Sequence, residues 1–506
     1  MEDRFLESVR KSFPAGGATI TLGAPLREGE CHPEPLVTVP LAMMNRHGLI
    51  AGATGTGKTK TLQLIAEQLS AAGVPVFLAD VKSDLSGLGA MGESGERVAQ
   101  RARDTGFDWK PQSFPLELLS LSGKRGAQLR ATVSSFGPLL LAKVLGLNET
   151  QTSVLGLVFK YCDDKQLPLL DFADLRAALQ HLSGEGAADL AGYGGMSKAS
   201  VGVLLREMVE LEQQGAGTFF GEPEFDLDDL MQTERDGRGL VSALELSDVQ
   251  DRPALWSTFT MWMLARLYHE LPEVGDIEKP KLVFFFDEAH LLFRGASPAF
   301  LEQVEQVVRL VRSKGVGVFF VTQSPKDVPA TVLGQLGHRV QHALRAFTAD
   351  DDKALKAAAR TFPKTEFYDL EETMTTLGIG EALVTLLGAN GVPTPPVATR
   401  LVPPASRMGP LSEAELSQRL AASKQVQEYA QAIDRESARE MLAARMAGRT
   451  EAAPAEKPAP RRTAEPASTF EQVLKSPLTR SIATTVTRGL LGALLGPPPR
   501  RRRRYF

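Results

Sequence analysis

The chain has 506 residues, 43% of them hydrophobic and 23% charged, with a formal net charge of −4. That size allows a large core and several domains, and the composition is ordinary for a soluble globular protein. The charge excludes a wholly basic nucleic-acid binder, and two distant cysteines, Cys31 and Cys162, argue against a disulfide framework or thiolate zinc site.

Residues 1–11 mix charges with single apolar residues and carry no apolar h-region, so no secretory signal is expected. No run of about 18 apolar residues occurs, so no bilayer-spanning helix is expected. A reducing, cytoplasmic setting fits both observations.

Residues 1–45 are rich in Gly and Pro with short alternating pieces, which reads as a small β-containing lead-in. A short strand over 47–51 comes next, then a Gly-rich loop and a helix stopped by Gly73-Val74-Pro75. Val76 to Ala79 is a buried strand ending at Asp80. Strand, Gly-rich loop, helix and strand open a doubly wound, mainly parallel α/β sheet, whose first part spans 46–110. Residues 111–237 show helical spacing over 129–147, 150–162, 172–182 and 198–213, predicting a mainly helical insertion. The sheet resumes over 238–400, with strands expected at 239–246, 281–286, 316–322, 338–347 and 381–387. Helices are predicted over 252–270 and 298–314, and more within 401–449. Residues 450–468 are Ala, Pro and charge, the composition of a flexible linker, and 469–506 form a separate basic amphipathic tail.

Gly52-Ala53-Thr54-Gly55-Thr56-Gly57-Lys58-Thr59 is a complete G-x-x-x-x-G-K-[ST] pattern between a strand and a helix. Glycines let successive backbone N–H groups turn into one concave cradle for phosphates. The helix behind it adds unpaired N–H groups and the positive end of its dipole. In this pattern Lys58 reaches the β- and γ-phosphates and the Thr59 hydroxyl ligates Mg²⁺. Leu282 to Phe286 is a fully apolar strand that ends in Asp287-Glu288. Charge at a buried strand tip needs a partner, and Mg²⁺ is the obvious one. Asp287 is read as belonging to the metal's outer shell and Glu288 as activating water.

Gln323, at the tip of Val318 to Thr322, is placed to touch the γ-phosphate or the attacking water, or else simply caps a loop. Lys82 and Asp84 follow the strand that ends at Asp80, and either line the site or lie on a surface loop.

Together these pieces resemble the HerA/FtsK group of hexameric ATPases, most closely the YjgR-like branch of HerA-type proteins. The resemblance rests on Gly-Ala-Thr-Gly-Thr-Gly-Lys-Thr, on the strand ending Asp80-Val81-Lys82-Ser83-Asp84, on Phe-Phe-Phe-Asp-Glu-Ala-His, and on Arg309 to Gly317 followed by Thr322-Gln323-Ser324. It implies a RecA-like P-loop core, a homohexameric ring, ATP and Mg²⁺ as ligands, and ATP-driven movement on double-stranded DNA without sequence-specific reading. It also implies an arginine finger lent to the neighbouring subunit. Arg312 falls at the matching place, with Arg309 one turn away and Arg345 a second candidate. A surface i,i+4 pair of Glu305 with Arg309 and a solvated Arg312 is the plainer alternative. The lead-in is short for the N-terminal barrel of HerA translocases, which leaves docking to a nuclease partner open. No winged-helix DNA reader is recognisable.

In the tail, Leu474, Leu478, Ile482, Val486, Leu490 and Leu494 recur every four residues. After Glu471 come eight positive charges, Lys475, Arg480, Arg488 and Arg500 to Arg504. Three readings compete: docking on a neighbouring subunit, electrostatic contact with DNA phosphates, and peripheral contact with an anionic membrane. The expected function is an ATP-hydrolysing helicase or translocase. An ATP-gated hexameric scaffold that does not translocate is the alternative.

Overall fold

Leu282–Phe286 and Val316–Thr322 are apolar along nearly their whole lengths, so each needs cover on both faces. They lie side by side, parallel, with Val318 opposite Phe284 and Phe320 opposite Phe286. This pair lies near the middle of the sheet. The computed structural model describes residues 2–13, 17–294, 296–388 and 390–452. Residues 1–445 form one compact unit, to which everything below belongs. The second unit begins at residue 446, where the described residues end the helix Ala438–Ala452. The tail over 469–506, with its leucine repeat and arginines, lies outside the described residues, as does the linker beyond residue 452.

In chain order the strands are β1 (Thr19–Arg27), β2 (Glu30–Cys31), β3 (Val37–Pro40), β4 (Gly48–Ala51), β5 (Val76–Asp80), β6 (Leu116–Ser120), β7 (Ala127–Gln128), β8 (Val241–Glu245), β9 (Leu282–Phe286), β10 (Val316–Thr322), β11 (His338–His342), β12 (Glu381–Thr385) and β13 (Val397–Leu401). They make one sheet in the order β2-β1-β13-β12-β11-β4-β10-β9-β5-β8-β6-β7, with β3 beside β1. From β11 to β7 every pairing is parallel; β12, β13, β1, β2 and β3 continue the other side antiparallel. A parallel run brings the C-terminal strand ends to one edge, where open α/β sheets place ligands.

Alternate residues of β9 feed two cores. Leu282, Phe284 and Phe286 join the face covered by Pro253–Glu270, Pro298–Val311 and the helices of the middle segment. Val283 and Phe285 join the face covered by Lys58–Ala71 and the N-terminal helix Glu2–Ser12. Ring packing reinforces both, with Phe77 against Phe284 at 4.8 Å and Phe285 against Phe319 at 5.1 Å. The result is a mixed α/β fold with a mostly parallel sheet.

Several elements differ from the sequence expectation. The lead-in begins with the helix Glu2–Ser12, whose Phe5 and Val9 are buried together with Phe13 just beyond it, and β1 is a member of the main sheet. Within 111–237, β6 and β7 also belong to that sheet, because Leu116, Leu118 and Leu119 are buried beside β8. The helix expected over 129–147 is two short ones, Val133–Phe136 and Pro138–Val144. Between them Gly137 sits at φ 76° and Pro138 withholds an N–H, so one continuous helix cannot form. The strand expected over 338–347 stops at His342, which puts Arg345 on the loop beyond it. Among the described residues, no helix is long and apolar enough to cross a membrane.

Candidate functional site

β4 delivers the Gly52–Thr59 loop to the C-terminal edge of the sheet. Gly52 N–H donates to Thr322 O at 3.2 Å and Ala53 N–H to Ala343 O at 2.8 Å, so the strands on either side hold the loop's first residues. Gly57 takes φ 113°, a conformation open to glycine, and a Cβ there would meet Gly380 at 3.3 Å. His342 supports the loop from below. Its Nε2 lies 2.8 Å from Thr61 Oγ1, and its Cβ occupies the space a Gly52 side chain would need. The Lys58 ammonium folds back onto the loop and donates to Ala53 O at 3.1 Å. Burial lowers its pKa, while Glu288 and Asp287 oppose that shift. Thr59 is half-buried in the helix's first turn.

Asp287 and Glu288 leave the tip of β9, two strands from β4. Asp287 N–H donates to Ala79 O at 3.2 Å and Ala289 N–H to Val321 O at 2.8 Å, pinning the turn from both sides. Glu288 has φ 47°, left-handed for a residue with a side chain. Such backbone costs of order 1–3 kcal/mol and persists where the surroundings impose it, often at functional sites. The Glu288 carboxylate is paired with the Lys82 ammonium, and His290 Nδ1 stands 3.2 Å from its other oxygen. Burial pushes the Glu288 carboxyl up, but Lys82, with help from His290 and Lys58, outweighs that and holds it below the ordinary value. Asp287 behaves oppositely. Burial first, then the charges of Glu288 and Asp80, push it up to about 7.

The carboxylates of Asp80, Asp84 and Asp287 each offer an oxygen within 4.8 Å of the others. Asp287 Oδ2 and Asp84 Oδ1 are buried without a hydrogen-bond partner. Orphaned carboxylate oxygens at a strand tip are a donor set that fits a hard divalent cation such as Mg²⁺.

One cleft of ≈ 830 Å³ brings Ala53 and Thr54 together with Gln323, His290, Arg294 and Arg345. Gln323 is exposed at the tip of β10, facing this cleft. Arg312 is elsewhere. It lies in the turn Arg312–Lys314 before β10, exposed, at the opposite edge of the sheet from the loop. β10 and β4 are parallel, so the seven residues of β10 put about 23 Å between Arg312 and its own chain's loop. A larger cavity of ≈ 1410 Å³, among the helices around Phe136, Trp262 and Gln303, contains none of the motif residues.

Sequence reasoning noted His290 only as the end of the Phe-Phe-Phe-Asp-Glu-Ala-His stretch, missed Arg294, and left Lys82 between site and surface. His290 follows Glu288 by two residues and Arg294 lies one helical turn further, a signal readable in retrospect. The loop Gly378–Gly380, which reaches the site by Gly380 N–H donating to Thr56 O at 2.9 Å, carries no such local signal.

A protein-family model described as helicase HerA-like C-terminal matches residues 26–504. No curated protein matches the chain. Among solved structures, the bacterial conjugative coupling protein TrwB, unbound, is 15% identical, with a TM-score of 0.49, over 78% of this chain and 91% of that one. Plasmid coupling protein TrwB in complex with ADP and Mg²⁺ is 16% identical over 79% and 94%, TM-score 0.48. VirB4 of Thermoanaerobacter pseudethanolicus is 14% identical over 77% and 98%, TM-score 0.46.

Proposed function

The chain belongs to this HerA-like C-terminal helicase family, and on that premise we propose that it is a Mg²⁺-dependent ATPase working as a homohexameric ring that moves along double-stranded DNA. The observation that carries hydrolysis, beyond nucleotide binding, is the pair at the tip of β9. Two adjacent carboxylates there have separate surroundings: Glu288 is fixed by Lys82 and His290, while Asp287 joins Asp80 and Asp84 in the cluster that fits a divalent cation. Such separation suits different tasks.

In this reading the backbone of Gly52 to Gly57 cradles the phosphates, and Lys58 leaves Ala53 O to meet the β- and γ-phosphates. Thr59 and Asp287 hold the metal, with Asp80 and Asp84 beside Asp287. When bound, Mg²⁺ neutralises charge on the β- and γ-oxygens. Glu288 takes the proton of the attacking water, and Lys82 and His290 fix its carboxylate in place. Gln323, in the cleft beside Thr54, senses the γ-phosphate. Arg312 is too far from its own loop to serve it, and completes a neighbour's site. Two free cysteines, Cys31 and Cys162, fit a reducing, cytoplasmic setting.

ATP turnover by the purified protein, measured at low salt with and without duplex DNA, tests this reading. DNA should raise turnover several-fold. Turnover indifferent to DNA would favour a ring that gates a partner, and absence of turnover in Mg²⁺ would contradict both readings.

A further inference from the structure

Beyond β13 the chain turns back over the body. Residues 402–439 run from the helix behind the phosphate loop, Lys58–Ala71, around the β6–β7 edge of the sheet to the helices of the middle segment, and none of the motifs accounts for this path. Leu416 joins the core on the face of Lys58–Ala71, while Tyr429 and Ala438 join the core on the opposite face. We propose that this segment is a strap that couples the phosphate loop to the middle segment, with Glu67 as the positioning residue through which it holds the loop's helix. The proposal rests on the reading of Gly52 to Thr59 as the phosphate cradle.

At its near end the strap grips two of the motif-bearing elements. Gln63 and Glu67 lie one turn apart on the loop's helix, and both are buried. The Glu67 carboxylate accepts from Ala405 N–H at 2.6 Å, Ser406 N–H at 3.1 Å and Ser406 O–H at 2.8 Å. Gln63 Nε2 donates to Ser406 Oγ at 2.7 Å and to Arg407 O at 2.8 Å. A buried carboxylate is costly without such donors, so Glu67 favours the strap in place. The second element is the loop after β5, which carries Asp80 and Asp84. Leu411 N–H donates to Ser86 Oγ at 3.0 Å, and a Cβ on Gly87 would meet Gly409 O at 2.0 Å, so strap and loop touch backbone to backbone. Lys58 and Thr59 begin the same helix that Glu67 anchors, and a helix passes a displacement along its length as a rigid element.

The middle of the strap is pinned to the sheet. Arg419 donates to Gly89 O at 2.8 Å and Leu116 O at 3.1 Å, and Ser423 Oγ donates to the Glu117 carboxylate at 2.6 Å. The far end is fixed on the middle segment. The buried Tyr429 O–H donates to the Asp229 carboxylate at 2.8 Å and accepts from Asp226 N–H at 3.1 Å. Arg130 donates to Tyr429 O at 2.8 Å, and Arg435 meets Glu222 with two bonds, at 2.7 and 2.8 Å. Asp174, on the helix Phe172–Ser183, accepts from Arg439 N–H at 3.0 Å and from the Ser437 hydroxyl. The two short helices Glu413–Ala422 and Lys424–Tyr429 join these ends. One contiguous bonded path therefore runs from the loop's helix to the opposite face of the sheet, the kind of physical network that carries coupling between distant sites.

Hydrogen exchange of the full chain, with and without saturating Mg²⁺–AMP-PNP, tests the proposal. In the wild-type protein the nucleotide should slow exchange at 52–62 and also at 424–441. Glu67→Gln and Ser406→Ala should keep the slowing at 52–62 and lose it at 424–441. Slowing confined to 52–62 in the wild type, or slowing at 424–441 that survives both variants, would overturn the strap. No slowing at 52–62 would refute the phosphate-loop reading and the strap with it. Coupling is reciprocal, so a change at the far end must reach the nucleotide. Tyr429→Phe should weaken Mg²⁺–ATP about fivefold, and adding Glu67→Gln should cost no more than the larger single loss. Wild-type affinity in Tyr429→Phe, or losses that simply add, would mark these as separate structural contacts and overturn the coupling.

Discussion

The Lys82 ammonium rests on the Glu288 carboxylate, joining the loop after β5 to the tip of β9. Lys82 is about half exposed while Glu288 is almost fully buried, so the lysine reaches inward to a carboxylate that cannot reach out. The pair holds the Glu288 carboxyl below its ordinary value against the burial that pushes it up.

Removing either partner should therefore spare binding and damage turnover. Glu288→Gln is expected to bind ATP within about threefold of wild type and to lose about 10²–10⁴ in kcat, the range for a general base. Lys82→Met should also keep ATP affinity, and lose about tenfold or more in kcat as its carboxylate partner becomes unfixed. Single-turnover kinetics with separately measured Kd values check both. Wild-type kcat in either variant would remove that residue from the mechanism.

Arg312 precedes β10, and the strand, about 23 Å long, separates it from the edge that carries its own loop. Arg312→Ala should bind ATP normally and turn over poorly, by a factor on the order of 10³ if it acts as a finger. Lys58→Ala should fail to bind. Mixing the two inactive variants should restore activity, because a ring then contains intact loops facing intact arginines. Mixtures as inactive as their components would place the finger elsewhere, with Arg345, in the cleft beside Thr54, next to examine.

Three buried imidazoles set an acid limit on stability. His47 Nδ1 accepts from Val318 N–H at 3.0 Å, and His338 Nδ1 from Leu387 N–H at 3.3 Å, which requires both nitrogens to be unprotonated. Burial, the leading cause for each, lowers His47, His338 and His342 from 6.5 to about 4. The unfolded chain binds these protons more readily, so their contribution is complete above pH 6.5 and is lost as pH falls through about 4. Glu67 and Asp80, pushed up to about 7 by burial, act the other way over the same window, so the histidines' share is read as a difference between proteins. Relative to wild type, the combined His47→Gln, His338→Gln and His342→Gln variant should lose less melting temperature on acidification from pH 6.5 to 4, and an identical pH profile would contradict it.

What was legible in the sequence followed from chemistry that fixes spacing along a contiguous stretch. Gly52 to Thr59 must alternate freedom and charge within eight residues, and Leu282 to Glu288 must change from apolar to acidic at a strand tip. Both stretches lie at the C-terminal edge of the sheet. The N-terminal helix was hidden because only Phe5, Leu6 and Val9 make up its apolar side in a short charged start. The strand Leu116–Ser120 was hidden because its neighbour in the sheet, β8, comes more than a hundred residues later. The contacts that Arg101 makes with Ile379 and Gly380 beside the phosphate loop were out of reach for the same reason on a larger scale. Arg101, Ile379 and Met408 meet only after the antiparallel strands β12 and β13 fold back beside the loop. No local pattern links them.

Movement on DNA is the central claim, and ATP-dependent displacement of a third strand from a DNA triplex measures it without requiring strand separation. The wild-type protein should release the triplex-forming strand with ATP and Mg²⁺, and Glu288→Gln should not. A wild-type protein that hydrolyses ATP in the presence of the triplex yet releases no third strand would contradict the motor and leave the gated ring in its place.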